Sequence, residues 1–198
     1  FKRKENREEI RKRLGISKGN FVIMFRQAQD WKGITEIKEM LKALNIEKPV
    51  TILTVGGTGM IDEFKDKYQV IEYEWVNDNN LMVELYSASD LFLMPSVAEA
   101  FGLMAIEAMA CSLPVIVFEG TSLPSVTFSP KCGIALKRGD IESFVKTIER
   151  LILNPKECKE RGELGRKLAE DNYDLERYNN DIINLYDEIF NKIKRNRI

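Results

Sequence analysis

Between residues 21 and 136 the chain repeats one alternation. A short, continuously apolar run is followed by a stretch with helical apolar spacing. Residues 21–25 (FVIMF), 50–55 (VTILTV), 70–73, 91–94, 115–118 and 134–136 read as strands. Residues 34–44, 78–88 and 103–110 read as helices, the second with Asn77 or Asp78 as N-cap. A charged helix over residues 2–14, stopped by Gly15, opens the chain, and helices over 141–153, 155–171 and 175–194 close it. Apolar runs without polar alternation belong to strands covered on both faces. Strand-helix alternation gives parallel βαβ units. The expectation is a single α/β domain, a doubly wound Rossmann-like parallel sheet. Ligands of such sheets sit beyond the carboxyl ends of the strands, near the switch point. The loops that follow the strands are therefore where chemistry is sought.

Composition removes several function classes. Thirty Lys and Arg against 31 Asp and Glu leave a net charge of −1, which makes no general case for nucleic acid. Histidine is absent, which excludes a His base, a Ser-His-Asp triad and a His-ligated metal within this chain. Cys111, Cys132 and Cys158 fit no zinc spacing and are odd in number, so they read as reduced packing residues. No metal is expected. No apolar run is long enough to span a bilayer and no signal peptide is visible, so a cytoplasmic location is expected. The chain begins at Phe1, which suggests a trimmed chain or a piece of a longer one.

Glu107 stands out. Every other side chain from Leu103 to Ala110 is apolar, the pattern of a helix buried all round. A carboxylate there is costly unless something pairs with it. Glu99 lies eight residues upstream in the turn leading into the same helix. A helix N-terminus offers free N–H groups suited to phosphate, and Gly102 would let a ligand approach the backbone. Glu107 lies about 7 Å along the axis from Gly102 at a rise of about 1.5 Å per residue, leaning back toward the helix mouth. Phosphate on the amides and a ribose diol on Glu107 would fit. The plainer alternative pairs Glu107 with a core Arg or Lys and leaves Glu99 on the surface.

After the first strand, Arg26 and Lys32 could face one polyphosphate or form an ordinary salt bridge, and Trp31 could pack or stack. The turn Gly56-Gly57-Thr58-Gly59 follows the second strand and is not the dinucleotide fingerprint, which makes a dehydrogenase the least favoured reading. Trp75, after the third strand, reads as a packing residue, with a base-binding wall as the alternative beside Val76. Residues 119–125 (EGTSLPS) form a hydroxyl-rich turn. The basic residues of the opening helix read as a solvated face, with contact to an anionic membrane as the alternative.

The run EAFGLMAIE followed by AMACSLPVI closely resembles the E-x7-E signature of group 1 glycosyltransferases, the retaining family 4 enzymes of the GT-B fold. An Arg and a Lys-Gly after the first strand, VGGTG after the second, and DLFLMPS before the signature extend the resemblance over nearly the whole chain. It implies the C-terminal, donor-binding domain of a two-domain enzyme, with residues 1–174 holding a UDP- or GDP-linked sugar. Residues 175–198 would cross back onto a missing N-terminal acceptor-binding domain. The face of Tyr178, Ile182, Leu185, Tyr186 and Ile189 would then lie open.

By that resemblance Glu107 accepts the ribose hydroxyls, and Phe101, Gly102 and Leu103 offer N–H groups to the pyrophosphate. Gly57 and Val76 contact the nucleotide, with Val76 marking the base pocket. Arg26 and Lys32 neutralise the leaving diphosphate, in the place of a metal ion. Glu99 binds the donor sugar near its reacting carbon. No cofactor is implied beyond the sugar nucleotide, and no nucleic acid. The resemblance further implies transfer to a polysaccharide or glycoconjugate acceptor, at or near the inner membrane surface, and an isolated half without transfer activity. Two positions depart from the pattern. Ser112 replaces a usual Gly, and Ser125 replaces the usual Glu after Pro124, which bears on the donor sugar. Two other classes stay open: a glycosidase or phosphorylase using Glu99 and Glu107, and a non-catalytic interaction module.

Overall fold

Six strands, β1 (Phe21–Arg26), β2 (Val50–Val55), β3 (Gln69–Glu72), β4 (Leu91–Met94), β5 (Val115–Phe118) and β6 (Ile134–Leu136), form one sheet in the order β3-β2-β1-β4-β5-β6. Every neighbouring pair is parallel. This computed structural model describes residues 1–28 and 30–195, without the side chain of residue 195. Eight α-helices are found among them: α1 (Arg7–Arg13), α2 (Ile34–Ala43), α3 (Asn79–Ala88), α4 (Leu103–Ala110), α5 (Leu123–Val126), α6 (Ile141–Leu153), α7 (Pro155–Tyr173) and α8 (Leu175–Arg195).

The pleat sorts the core into two layers. Phe21, Ile23 and Phe25 of β1 pack with Ile37 and Leu41 of α2 and Phe144 and Ile148 of α6. Val22 and Met24 pack on the other face with Leu85 of α3, Ala108 of α4 and Ala169 of α7. Both faces of β1 and β2 are covered, which is why their sequences are apolar without alternation. The expected doubly wound sheet is therefore present. Its order reverses between β1 and β4, and that pair marks the switch point.

Three local expectations change. The opening helix begins at Arg7, not residue 2. Lys4 instead donates its backbone N–H to Ser87 Oγ at 3.0 Å. Arg7 and Arg11 are not simply surface charge. They donate to the carbonyls of Ser87, Ala88 and Ser89, which end α3, and pair with Asp90 at 2.5 and 2.6 Å. Second, the hydroxyl-rich turn after β5 holds the four-residue helix α5. Third, α4 is not buried all round. Ala105, Ala108 and Met109 are buried, whereas Leu103 is 65% exposed and Glu107 is half-buried. Leu103 and Met104, at its start, border a cavity.

The three cysteines are free and buried, and burial pushes the thiols of Cys111 and Cys158 up to about 12. On α8, Tyr178, Leu185, Tyr186 and Ile189 are exposed and Ile182 is half-buried. Residues 196–198, the end of the segment expected to cross back, lie outside the described residues.

Ser112 follows α4 with φ of 60°, the left-handed region that favours glycine at this position of a helix end. Ser112→Gly is expected to stabilise the fold by about 1 kcal/mol, read from urea unfolding at neutral pH.

Candidate functional site

At the switch point the carboxyl ends of β1 and β4 open into a cavity of about 470 Å³. Arg26, the last residue of β1, lines it together with Lys32, Ser96 and Glu99. Residues 100–104 and Glu107, the mouth and first turns of α4, close its other side. A smaller cavity of about 160 Å³ shares Arg26, Trp75, Met104 and Glu107 and runs on to Gly56, Val76, Asn79 and Met82. A cavity of about 570 Å³ lies at the opposite end of the sheet. Two of its arginines, Arg7 and Arg11, are committed to Asp90 and the carbonyls that end α3.

The N-terminus of α4 is open. Its N-cap is Gly102, so no side chain caps it. Among the described residues, the backbone N–H groups of Phe101, Gly102, Leu103 and Met104 have no acceptor. Free amides and the partial positive charge of a helix N-terminus make a ready anion site. Gly102 has a further reason to be glycine. Its φ is +90°, and an added Cβ would lie 2.4 Å from Leu123 Cδ2. The backbone and α5 require glycine there in their own right.

Charges in the cavity are partly matched. Lys32 Nζ pairs with Glu99 Oε2 at 2.5 Å, with both side chains largely buried. The ordinary salt bridge weighed for this loop is thus present at Lys32, with Glu99 as its partner; Glu99 is not a free surface residue, and Lys32 does not meet the cavity as an unpaired cation. Two contacts join their loops. Val97 N–H donates to Trp31 O at 3.0 Å, and an added Cβ on Gly33 would lie 2.2 Å from Pro95 O. Arg26 has no salt bridge among the described residues, and its guanidinium lies 4.7 Å from the centre of the Trp75 ring. Trp75 is 62% exposed, which replaces the packing role expected for it. Trp31 is partly exposed, with Lys32 Nζ 4.4 Å from its ring.

Among the described residues, neither Arg nor Lys holds Glu107. Its Oε2 accepts from the Tyr86 hydroxyl at 3.0 Å. Burial pushes its carboxyl above the ordinary value, while the Tyr86 hydrogen bond acts the other way. Burial and the neighbouring Glu107 carboxylate drive the Tyr86 phenol well above its own usual value. Tyr86 therefore stays a donor.

Arg26, Lys32, Glu99, Phe101, Gly102, Leu103 and Glu107 thus line one cavity, and Val76 lines the smaller one. Gly57 lines neither; its neighbour Gly56 does. Ser125 is exposed on α5 and also lines neither. Sequence reasoning passed over Tyr86 and Ser96. Tyr86 has the spacing of a core aromatic, and Ser96 belongs to no motif that names a task for it.

The family model described as glycosyl transferases group 1 matches residues 6–168. A D-inositol 3-phosphate glycosyltransferase of Gordonia bronchialis is 26% identical over 181 residues, 83% of this chain and 40% of that protein. The chain thus spans about two fifths of that relative's length. The structure of the C-terminal domain of a glycosyl transferase group 1 family protein, LpcC of Francisella tularensis, covers 88% of this chain and is itself covered to 96%, at 23% identity and a TM-score of 0.74. HepE of Anabaena, in complex with UDP and glucose, matches 95% of this chain over 54% of its own, at 20% identity and a TM-score of 0.81.

The raised carboxyl of Glu107 has a sign that can be checked. Because its folded-state value lies above the unfolded one, the native state binds the extra proton. Glu107 therefore costs no stability below the ordinary carboxylate value, and stability falls as pH rises through the raised one. Glu107→Gln should raise the melting temperature at pH 7 and leave it unchanged below about pH 4, as followed by thermal unfolding across that range.

Proposed function

Because the chain belongs to the group 1 glycosyltransferases, we propose that this cavity binds the nucleoside-diphosphate part of a sugar donor and that the chain is the donor-binding half of a transferase. The observation that carries the reading is the uncapped N-terminus of α4 with Arg26 across the same cavity at the switch point. The neighbouring structures that hold UDP and UDP-glucose support it.

In this reading the diphosphate accepts from the free amides around Gly102, and Arg26 neutralises it as a planar fork. Glu107, kept in orientation by Tyr86, accepts the ribose hydroxyls. The base enters the smaller cavity beside Val76, against the exposed Trp75 ring. The donor sugar lies toward Glu99. Lys32, bound to Glu99, lends its charge to the departing diphosphate while holding that carboxylate in place. The bond between the anomeric carbon and the diphosphate oxygen breaks, and its electron pair leaves with the diphosphate. Positive charge beside that oxygen lowers the barrier. Transfer proceeds with retention, to a polysaccharide or glycoconjugate acceptor at the inner membrane surface. The acceptor half lies outside these 198 residues, and the apolar face of α8 docks onto it. Among the described residues no helix is long and apolar enough to cross a membrane.

A hydrolase using Glu99 and Glu107 is the weaker reading, since Glu99 is held in an ion pair by Lys32 and Glu107 in a hydrogen bond from Tyr86. Isothermal titration of UDP and GDP separates the classes. One of the two should bind with a Kd in the micromolar to low millimolar range. Arg26→Ala should weaken it by about tenfold or more, the cost of losing a charge-assisted contact. Binding of neither nucleotide at millimolar concentration would refute the donor-site reading and leave the interaction module.

A further inference from the structure

Two side-chain polar atoms among the described residues are buried without any hydrogen-bond partner: Arg26 Nε and Ser96 Oγ. Both residues line the 470 Å³ cavity. Ser96 is wholly buried, at 0% exposure. An unpaired buried hydroxyl is costly, so its presence asks for a partner that arrives. The other side chains that could serve already have one. Lys32 and Glu99 hold each other, and Glu107 holds Tyr86. The groups left unmatched are the Arg26 Nε–H, the amides of residues 101–104 and the Ser96 hydroxyl, which can donate as well as accept. A set in which donors predominate, one of them cationic, is complementary to an oxyanion.

The hydroxyl is also held in place. Ser96 stands between the two contacts that tie the Lys32 loop to the end of β4, Pro95 against Gly33 and Val97 against Trp31. Arg26 is fixed likewise, between Trp75 and Gly56. An added Cβ on Gly56 would lie 3.1 Å from Arg26 Nε.

We infer that Ser96 is a substrate-contacting residue whose hydroxyl donates to an oxygen of the donor's diphosphate, alongside Arg26. This rests on the donor-site reading above and adds to it a residue that the E-x7-E resemblance did not mark. The contact is specific to phosphate. It does not involve the base or the ribose.

The test is Ser96→Ala in this 198-residue chain, with uridine, UMP and UDP, or the guanosine series if GDP is the tighter ligand. UDP binding should weaken by about tenfold or more, as for a lost hydrogen bond to a charged group, with nucleoside affinity unchanged. Loss for UDP alone would assign the contact to the β-phosphate, and loss for UMP as well to the α-phosphate; both support the inference. The melting temperature without ligand should stay level or rise, because the substitution removes an unsatisfied group. Ser96→Cys, close in size and a weak donor, should weaken UDP in the same way and fold normally. UDP affinity equal to that of the unaltered chain, or an equal loss for nucleoside and diphosphate, would overturn the inference. So would a lowered melting temperature in both variants with nucleotide affinity intact, which would mark Ser96 as structural. If the unaltered chain binds neither diphosphate, the donor-site reading itself fails, and this inference with it.

Discussion

The site depends on four backbone amides that the fold leaves unmatched. Gly102 caps α4 without a side chain, and nothing in the described protein accepts from residues 101–104. A helix end in this state is costly when shielded from water, and becomes favourable when an anion meets it. Two features keep it open. The left-handed backbone at Gly102 turns the chain abruptly out of the loop after β4, and Leu123 fills the space that a Cβ would take. The parallel sheet then places this end at the one point where the crossovers diverge, so the cavity is a consequence of strand order.

Charge in the cavity follows a clear division. The acidic groups are provided for internally, Glu99 by Lys32 and Glu107 by Tyr86. The cation at the end of β1 and the helix amides are not. The cavity is thus short of acceptors, which is why an anionic ligand fits it better than a neutral one. The tyrosine that steadies Glu107 does so without neutralising it. Burial raises the carboxyl, so ionised Glu107 works against the fold rather than for it.

Much of the fold was legible because most strands are covered on both faces. The runs at residues 50–55, 91–94, 115–118 and 134–136 coincide with strands residue by residue. Elements that failed did so where tertiary contacts overrule local pattern. Residues 2–6 carry a helical charge pattern, yet they lie outside α1, and Lys4 bonds to Ser87 and Glu84 of α3. The four residues of α5 contain Pro and Ser and looked like a turn. The misreading of α4 has a different cause. Apolar side chains that line a cavity and apolar side chains that fill a core give the same sequence pattern, so the exposure of Leu103 could not be read from it. Most residues singled out for the site line the two cavities at the switch point, and Gly57 does not. Their pairings were not foreseen, because Lys32–Glu99 and Tyr86–Glu107 join residues 67 and 21 positions apart. Ser96 ends the run DLFLMPS, but that run gave it no task until its burial and lack of a partner were visible.

The claim that the open end of α4 receives a diphosphate is tested most directly by following the backbone amides themselves. In an isotope-labelled chain titrated with UDP or GDP, the resonances of residues 101–104 should move strongly and saturate with the nucleotide, and uridine or guanosine alone should leave them nearly in place. If a diphosphate binds and those four amides do not respond while others elsewhere do, the account is wrong.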